Sequence, residues 1–221
     1  MIYNDLKHIL PMFQFEGRFI SVEEFSSGNI NNTYHLVYRR RDGGLNEYTL
    51  QHINSYVFKD PSAVMYNIDL VTTHLRERYI SEGIDPGRRT LQIVPTRDGE
   101  IMYNCPETGV WRAYIFIGNV TAYDRIEKPE HFYEVGRAFG QFQKYLCDFP
   151  VGKLYETIPN FHNTTKRFYT FVAAVDSDKA GRVSDLEPEL EFFFERRRMM
   201  NEVLKLMADG MIPLRVTHND T

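Results

Sequence analysis

Thr33-Tyr34-His35-Leu36-Val37-Tyr38, then Asp42-Gly43-Gly44, then Glu47-Tyr48-Thr49-Leu50-Gln51-His52-Ile53-Asn54: this stretch decides the fold. Two runs rich in β-branched and aromatic residues flank a short turn. Side chains in an extended chain alternate between faces, so each run reads as a strand. Asp-Gly-Gly is hairpin chemistry, because glycine supplies the positive φ that tight turns need. Just upstream, Phe19-Ile20-Ser21-Val22-Glu23-Glu24-Phe25 has the same period of two. It is joined to the first run by the polar turn Ser26-Ser27-Gly28-Asn29-Ile30-Asn31-Asn32. The three runs predict an antiparallel meander.

Working outward, residues 3–15 read as a short helix, with Leu6, Ile9, Leu10 and Phe13 at helical spacing. Asp60-Pro61-Ser62 is a helix start. Val64, Ile68, Val71 and Leu75 form one apolar stripe of that helix, and Gly83 and Asp85-Pro86-Gly87 end it. Leu91–Pro95 reads as a fourth strand, Asp98-Gly99 as a turn with residues 100–103 pairing back, and Val110–Ile117 as the fifth main strand, apolar enough to be central. Beyond Gly118-Asn119 the composition shifts to helix. Lys128-Pro129-Glu130 opens a long one, whose Phe132, Val135, Phe139, Phe142 and Leu146 step by three and four and predict a buried face. Gly136 and Gly140 beside it would allow close packing. A helix over 167–175, a polar linker over 176–187, a long helix from Pro188 to about Ala208 and a short strand at 214–217 complete the reading. The fold class is α+β: a five-stranded antiparallel lobe over 1–118 and a helical lobe over 119–221.

Composition narrows the function. A net charge of -4 gives no basic footprint for nucleic acid. Arg39-Arg40-Arg41 flanks a turn and Arg196-Arg197-Arg198 lies on a helix among glutamates, so both read as solvated faces. Cys105 and Cys147 have no metal-ligand spacing. With no signal sequence and no apolar run of membrane-spanning length, the expectation is a soluble cytoplasmic protein without nucleic-acid or membrane partners.

Three places could carry chemistry. The turn at 26–33, with Gly28, Asn29, Asn31, Asn32 and Thr33, has free backbone N–H groups that could lie over phosphates; it is also good plain turn chemistry. Gln51 stands at an inward position of its strand, where it could donate a hydrogen bond but brings no charge. His218-Asn219-Asp220 could be a carboxylate base beside a scaffolding histidine, or part of a metal site.

Together these parts follow the order of a protein-kinase-like phosphotransferase. Leu214-Arg215-Val216-Thr217-His218-Asn219-Asp220-Thr221 resembles the catalytic loop of the aminoglycoside phosphotransferase and choline kinase superfamily. Within it, Gly28–Tyr34, Tyr48–Gln51, Trp111-Arg112-Ala113-Tyr114, Phe161-His162-Asn163-Thr164, Arg167-Phe168 and Ile212–Thr221 are similar to segments of N-acetylhexosamine 1-kinases. The resemblance implies ATP and Mg2+ as cofactors and a small sugar as substrate, phosphorylated at its anomeric hydroxyl. Asp220 would be the catalytic base and His218 its scaffold. Gly28, Asn29, Asn31, Asn32 and Thr33 would cover the triphosphate, with Asn31 and Asn32 also facing the sugar. Phe116-Ile117-Gly118 would be the hinge whose backbone binds adenine.

Many superfamily members carry a lysine where this chain has Gln51; hexosamine kinases resemble it in having glutamine. Phosphate charge would then fall to Mg2+ or to another residue. Asn67 or Asp69 lies near the position of the lysine's usual helix partner. The family's metal ligands and acceptor-pocket helices would fall past Thr221, so the resemblance implies no metal ligand within these residues, no turnover by this chain alone, and exposed apolar surface with a tendency to associate. Kinases of other small alcohols, a non-catalytic nucleotide-binding pseudokinase and a metal-dependent hydrolase remain as alternatives.

Overall fold

The structure is a computed structural model describing residues 6–25, 30–121, 123 and 125–217. Its strands are β1 (Arg18–Phe25), β2 (Asn32–Arg39), β3 (Leu45–His52), β4 (Tyr103–Cys105) and β5 (Gly109–Ile115). They form one sheet in the order β1-β2-β3-β5-β4, with every pairing antiparallel. The fold is the expected α+β, protein-kinase-like arrangement of a five-stranded antiparallel sheet followed by helices.

Strict alternation divides the sheet into two faces. On one, Leu36, Tyr38, Tyr48, Leu50, Trp111 and Ala113 are buried. The N-terminal segment packs onto the same cluster through Leu6, Ile9, Leu10 and Phe13. Those four residues share a face as their spacing predicts. The helix expected over 3–15 does not continue to its predicted end: Leu6 is helical, residues 7–9 form a turn, and a 3-10 turn at Leu10–Met12, with Pro11 in it, comes before Phe13 turns extended. Gln14 then donates from its backbone to the Pro95 carbonyl. The other face of the sheet carries Thr33, His35, Thr49, Gln51, Arg112 and Tyr114.

The expected fourth strand is the main correction in the sheet. Residues 91–95 run beside β5 and make two of its hydrogen bonds, Val94 N–H to Ala113 and Ile115 N–H to Gln92. They meet neighbours only at isolated bridges, Ile93 to Tyr114 and Thr96 to Phe13. The fifth place in the sheet goes to β4, after the predicted Asp98-Gly99 turn, where Gly99 has φ 86°. β5 is interior, flanked by β3 and β4 as its apolar sequence predicts.

Helix α1 (Pro61–Ser81) starts where predicted. The Asp60 carboxylate accepts the Ala63 N–H, and Pro61 occupies a first-turn position whose N–H would have no helical partner. Helix α2 (Pro129–Tyr145) also starts at its proline. Its stripe is only half covered. Phe142 and Leu146 join Leu75, Tyr79, Tyr145 and Phe149 in a second cluster, which Val216 also touches. Phe132 and Val135 are 66% and 47% exposed, so the predicted buried face ends midway along the helix. Asn67 on α1 staples this region: its amide donates to the Tyr155 carbonyl and accepts the Tyr155 N–H, at 2.8 and 2.9 Å.

The chain divides into two compact units, Met1–Thr157 with Val216–Thr221, and Ile158–Arg215. The strand-to-helix composition shift at 118 precedes that division, because α2 packs within the first unit. The second unit holds α3 (Thr164–Ser177), α4 (Glu187–Glu195) and α5 (Glu202–Ala208). The long helix predicted from Pro188 to Ala208 is interrupted by a 3-10 stretch at Arg197–Asn201. Thr165 donates its hydroxyl to the Met200 carbonyl there. The short strand predicted at 214–217 is not assigned; these residues carry no regular secondary structure.

Candidate nucleotide-binding face

Strand register brings residues far apart in sequence into rows. Phe25 opposes Thr33, Thr33 opposes Gln51, and Gln51 opposes Arg112. One step along, Glu23, His35, Thr49 and Tyr114 form the next row. Directly opposed residues in antiparallel strands share a face, so both rows lie away from the Leu50 core.

Gln51 is the centre of the first row. Its amide nitrogen donates to the Thr33 hydroxyl at 2.9 Å. Its amide oxygen accepts from Arg112 through Nε at 3.0 Å and Nη2 at 2.9 Å, and from the Tyr114 hydroxyl. Arg112 Nη1 lies 3.8 Å from Sδ of Met65, a fully buried residue of α1. The helix side chain facing this row is therefore a thioether. Asn67, one of two sequence candidates for that place, is committed to Tyr155. Asp69, the other, shows only its backbone carbonyl, accepting from Thr72, among the described hydrogen bonds.

Burial pushes the Tyr114 phenol above its usual value, against a smaller opposing effect of Arg112; burial likewise raises Tyr79. An unfolded tyrosine ionises near pH ~10. A raised folded-state value contributes stability that is fully present below that pH and is lost as pH rises through the folded value. Urea denaturation at pH 8 and pH 11 is expected to show a drop in stability that is smaller in Tyr114→Phe; an equal drop in both proteins would contradict this.

The turn before β2 is tied down at its end. Asn31 Oδ1 accepts the Asn54 N–H at 2.9 Å, and the Asn54 amide donates to the Ile30 carbonyl at 3.1 Å. Thr33 also donates to the Asn31 carbonyl at 3.4 Å. Asn32, the first residue of β2, is exposed. Gly28 and Asn29 lie outside the described residues, as do His218 and Asp220.

At the far end of the face, three rings gather. His35 stacks on Phe25 with centroids 5.8 Å apart and lies tilted against Phe116 at 4.2 Å. Its Nε2 is 2.7 Å from Glu47 Oε2. The Phe116 N–H is spent on the Glu47 carbonyl. Arg88 holds the Gly118 carbonyl at 2.7 Å. Between these fixed points, the Phe116 carbonyl and the Ile117 N–H and carbonyl engage no hydrogen bond among the described residues. A depression of about 500 Å³ lined in part by Gln14, Glu16, Tyr48, Gln92, Ile115 and Phe116 reaches the hinge but includes no residue of the two rows. A larger one of about 790 Å³, at Glu16–Arg18 and Arg39–Asp42, includes no residue of the two rows.

The structure thus brings Thr33, Gln51 and Phe116 to one face and adds Arg112, Tyr114, His35 and Phe25. In the sequence Arg112 stood within the resembling segment Trp111–Tyr114 with no role of its own; its position opposite Gln51 is a register fact. Among the described residues no three metal-ligating side chains converge. No described helix is long and apolar enough to cross a membrane.

No protein-family profile matches the chain. Among solved structures it is similar to amicoumacin kinase hAmiN in complex with AMP-PNP, Ca2+ and Ami, with a TM-score of 0.50 and 15% identity over 85% of this chain and 53% of that one. It is also similar to an aminoglycoside phosphotransferase from Alicyclobacillus acidocaldarius, with a TM-score of 0.47 and 11% identity over 89% of this chain and 53% of that one. A third is spectinomycin phosphotransferase APH(9)-Ia in complex with ADP and spectinomycin, with a TM-score of 0.42 and 12% identity over 96% and 59%. The chain spans about half the length of the solved structures it matches.

Proposed function

We propose that this chain is the nucleotide-binding portion of an ATP-dependent phosphotransferase that acts on a small-molecule hydroxyl. The observation that carries the reading is the polar row Thr33–Gln51–Arg112 on a face whose far end meets a hinge with backbone groups that engage no hydrogen bond among the described residues. The hAmiN fold, whose structure holds AMP-PNP, supports it. In this reading adenine meets the Phe116 carbonyl and the Ile117 backbone, with Phe25 and His35 close by. The triphosphate runs toward Gly28, Asn29, Asn31, Asn32 and Thr33. Asn31 offers its amide N–H groups there, since its oxygen is engaged by Asn54.

Asp220 would accept the acceptor hydroxyl's proton as that oxygen bonds to the γ-phosphorus and the bond to the β–γ bridging oxygen breaks, releasing ADP. His218 would hold the loop. Such transfer depends mainly on positioning and charge neutralisation. A divalent ion, Mg2+ in this reading, would neutralise the phosphate charge.

The acceptor proposed is an N-acetylhexosamine phosphorylated at its 1-hydroxyl, on the resemblance of Gly28–Tyr34, Tyr48–Gln51 and Ile212–Thr221 to those kinases. A second reading, an amicoumacin-like acceptor, is favoured by the hAmiN fold match alone. Calorimetric titration with ADP is expected to show binding to the 221-residue chain; no binding would overturn the nucleotide reading. A coupled ADP-release assay on the whole protein, with ATP, Mg2+ and a panel of N-acetylhexosamines, aminoglycosides and choline, is expected to show turnover with the hexosamines. Turnover confined to another acceptor would overturn the sugar assignment.

A further inference from the structure

The geometry points to Arg112 as the fixed cation that binds the nucleotide's phosphates, with Gln51 as the residue that positions it; this rests on the nucleotide reading above. In the rows Phe25–Thr33–Gln51–Arg112 and Glu23–His35–Thr49–Tyr114, Arg112 is the one permanent positive charge. It is half-buried, and its described partners are neutral: the Gln51 carbonyl oxygen, the Met65 thioether and the Tyr114 ring, whose centroid lies 5.5 Å from the guanidinium carbon. No carboxylate among the described residues lies within ion-pairing distance of it. A guanidinium withdrawn from water against a thioether is costly unless an anion completes its shell. The missing anion is the ligand's. Planar guanidinium donors match phosphate oxygens well, and Nη1 and Nη2 keep donors beyond those spent on Gln51 and Met65.

Gln51 explains itself in the same terms. Its oxygen collects both Arg112 donors and the Tyr114 hydroxyl, and its amide is turned to Thr33. A lysine at position 51 would set an ammonium against the guanidinium and remove the acceptor that orients it. The neutral residue on β3 and the arginine on β5 therefore form one device. The positive charge has moved one strand across the sheet while staying in the same row.

Binding of ATP and of adenosine to the 221-residue chain, measured by calorimetry, tests this. Wild type is expected to prefer ATP. Arg112→Met is expected to lower that preference about 10- to 100-fold, the loss of charge-assisted hydrogen bonds, with adenosine affinity unchanged. Arg112→Lys should keep most of it. The double variant Q51K/R112M returns a cation to the row from β3 and is expected to regain the preference. That rescue separates a charge role from a packing role, and it keeps the test sharp if Arg112→Met alone folds poorly. An unchanged preference in Arg112→Met, or equal loss in Arg112→Met and the double variant, overturns the inference. Wild type that binds neither ligand overturns the nucleotide reading itself.

Discussion

Leu50→Ala is expected to destabilise the first unit by about 3–5 kcal/mol, near the top of the range for buried leucines. Leu50 is fully buried at the middle of β3, the central strand of the sheet. Its neighbours in register are Tyr34 on β2 and Ala113 on β5. Ala113 is itself fully buried and has no side chain long enough to reach into the space a truncation leaves. Tyr48 and Trp111 belong to the same cluster and are too rigid to collapse into it. Domains of this size have about 5–15 kcal/mol in total, so the substitution removes a large share. Trp111, the single tryptophan, sits in this cluster and reports urea unfolding by fluorescence. A midpoint shift no larger than that of an exposed substitution such as Leu45→Ala would show that Leu50 is not a keystone of the core.

Asp220→Asn in the whole protein is expected to lower kcat about 10²- to 10⁴-fold, the usual contribution of a positioned general base, while ATP affinity stays close to wild type. Asparagine matches aspartate in size and still hydrogen-bonds to a hydroxyl, but it cannot take the proton. Because a base acts in the transition state and not in nucleotide binding, the loss belongs in kcat. Equal losses in kcat and in ATP affinity would instead make Asp220 a binding residue, and no loss would remove it from the mechanism. His218→Ala, at the residue proposed to hold the loop, is expected to cost less.

How far the sequence was readable depends on the kind of information each feature needs. Period and turn chemistry are local, so β1, β2, β3 and the start of α1 were legible from β-branched alternation, Asp42-Gly43-Gly44 and Asp60-Pro61. What covers a face is not local. The stripe on α2 was right at Phe142 and Leu146, which are packed by α1 residues some seventy positions earlier in the chain, but not at Phe132 and Val135, which are exposed. The interruption at Arg197–Asn201 carries no glycine or proline, so no breaker announced it. Residues 91–95 have a strand's composition yet bridge only at single positions, because their backbone is shared between β5 and the N-terminal segment. Register, finally, is a property of two strands at once. Gln51 could be singled out as the polar residue at an inward position of its strand, whereas Arg112 acquired a place only when β3 and β5 were paired.

The outer side of β1 has a bearing on how the protein behaves in crowded solution. β1 is eight residues long and stands at the end of the sheet. A flat edge of that length invites a strand from another molecule. The register slips between Phe19 and Ser21, so that Ile20 is an extra residue opposite β2. A bulge of this kind twists the edge and breaks the even spacing of its N–H and C=O groups. A visiting strand could match the ladder on one side of Ile20 or the other, but not across it. Arg18, Glu23 and Glu24 add charges that such a visitor would have to accommodate. The misfit at Ile20 acts as a guard against edge-to-edge polymerisation, built from one surplus residue.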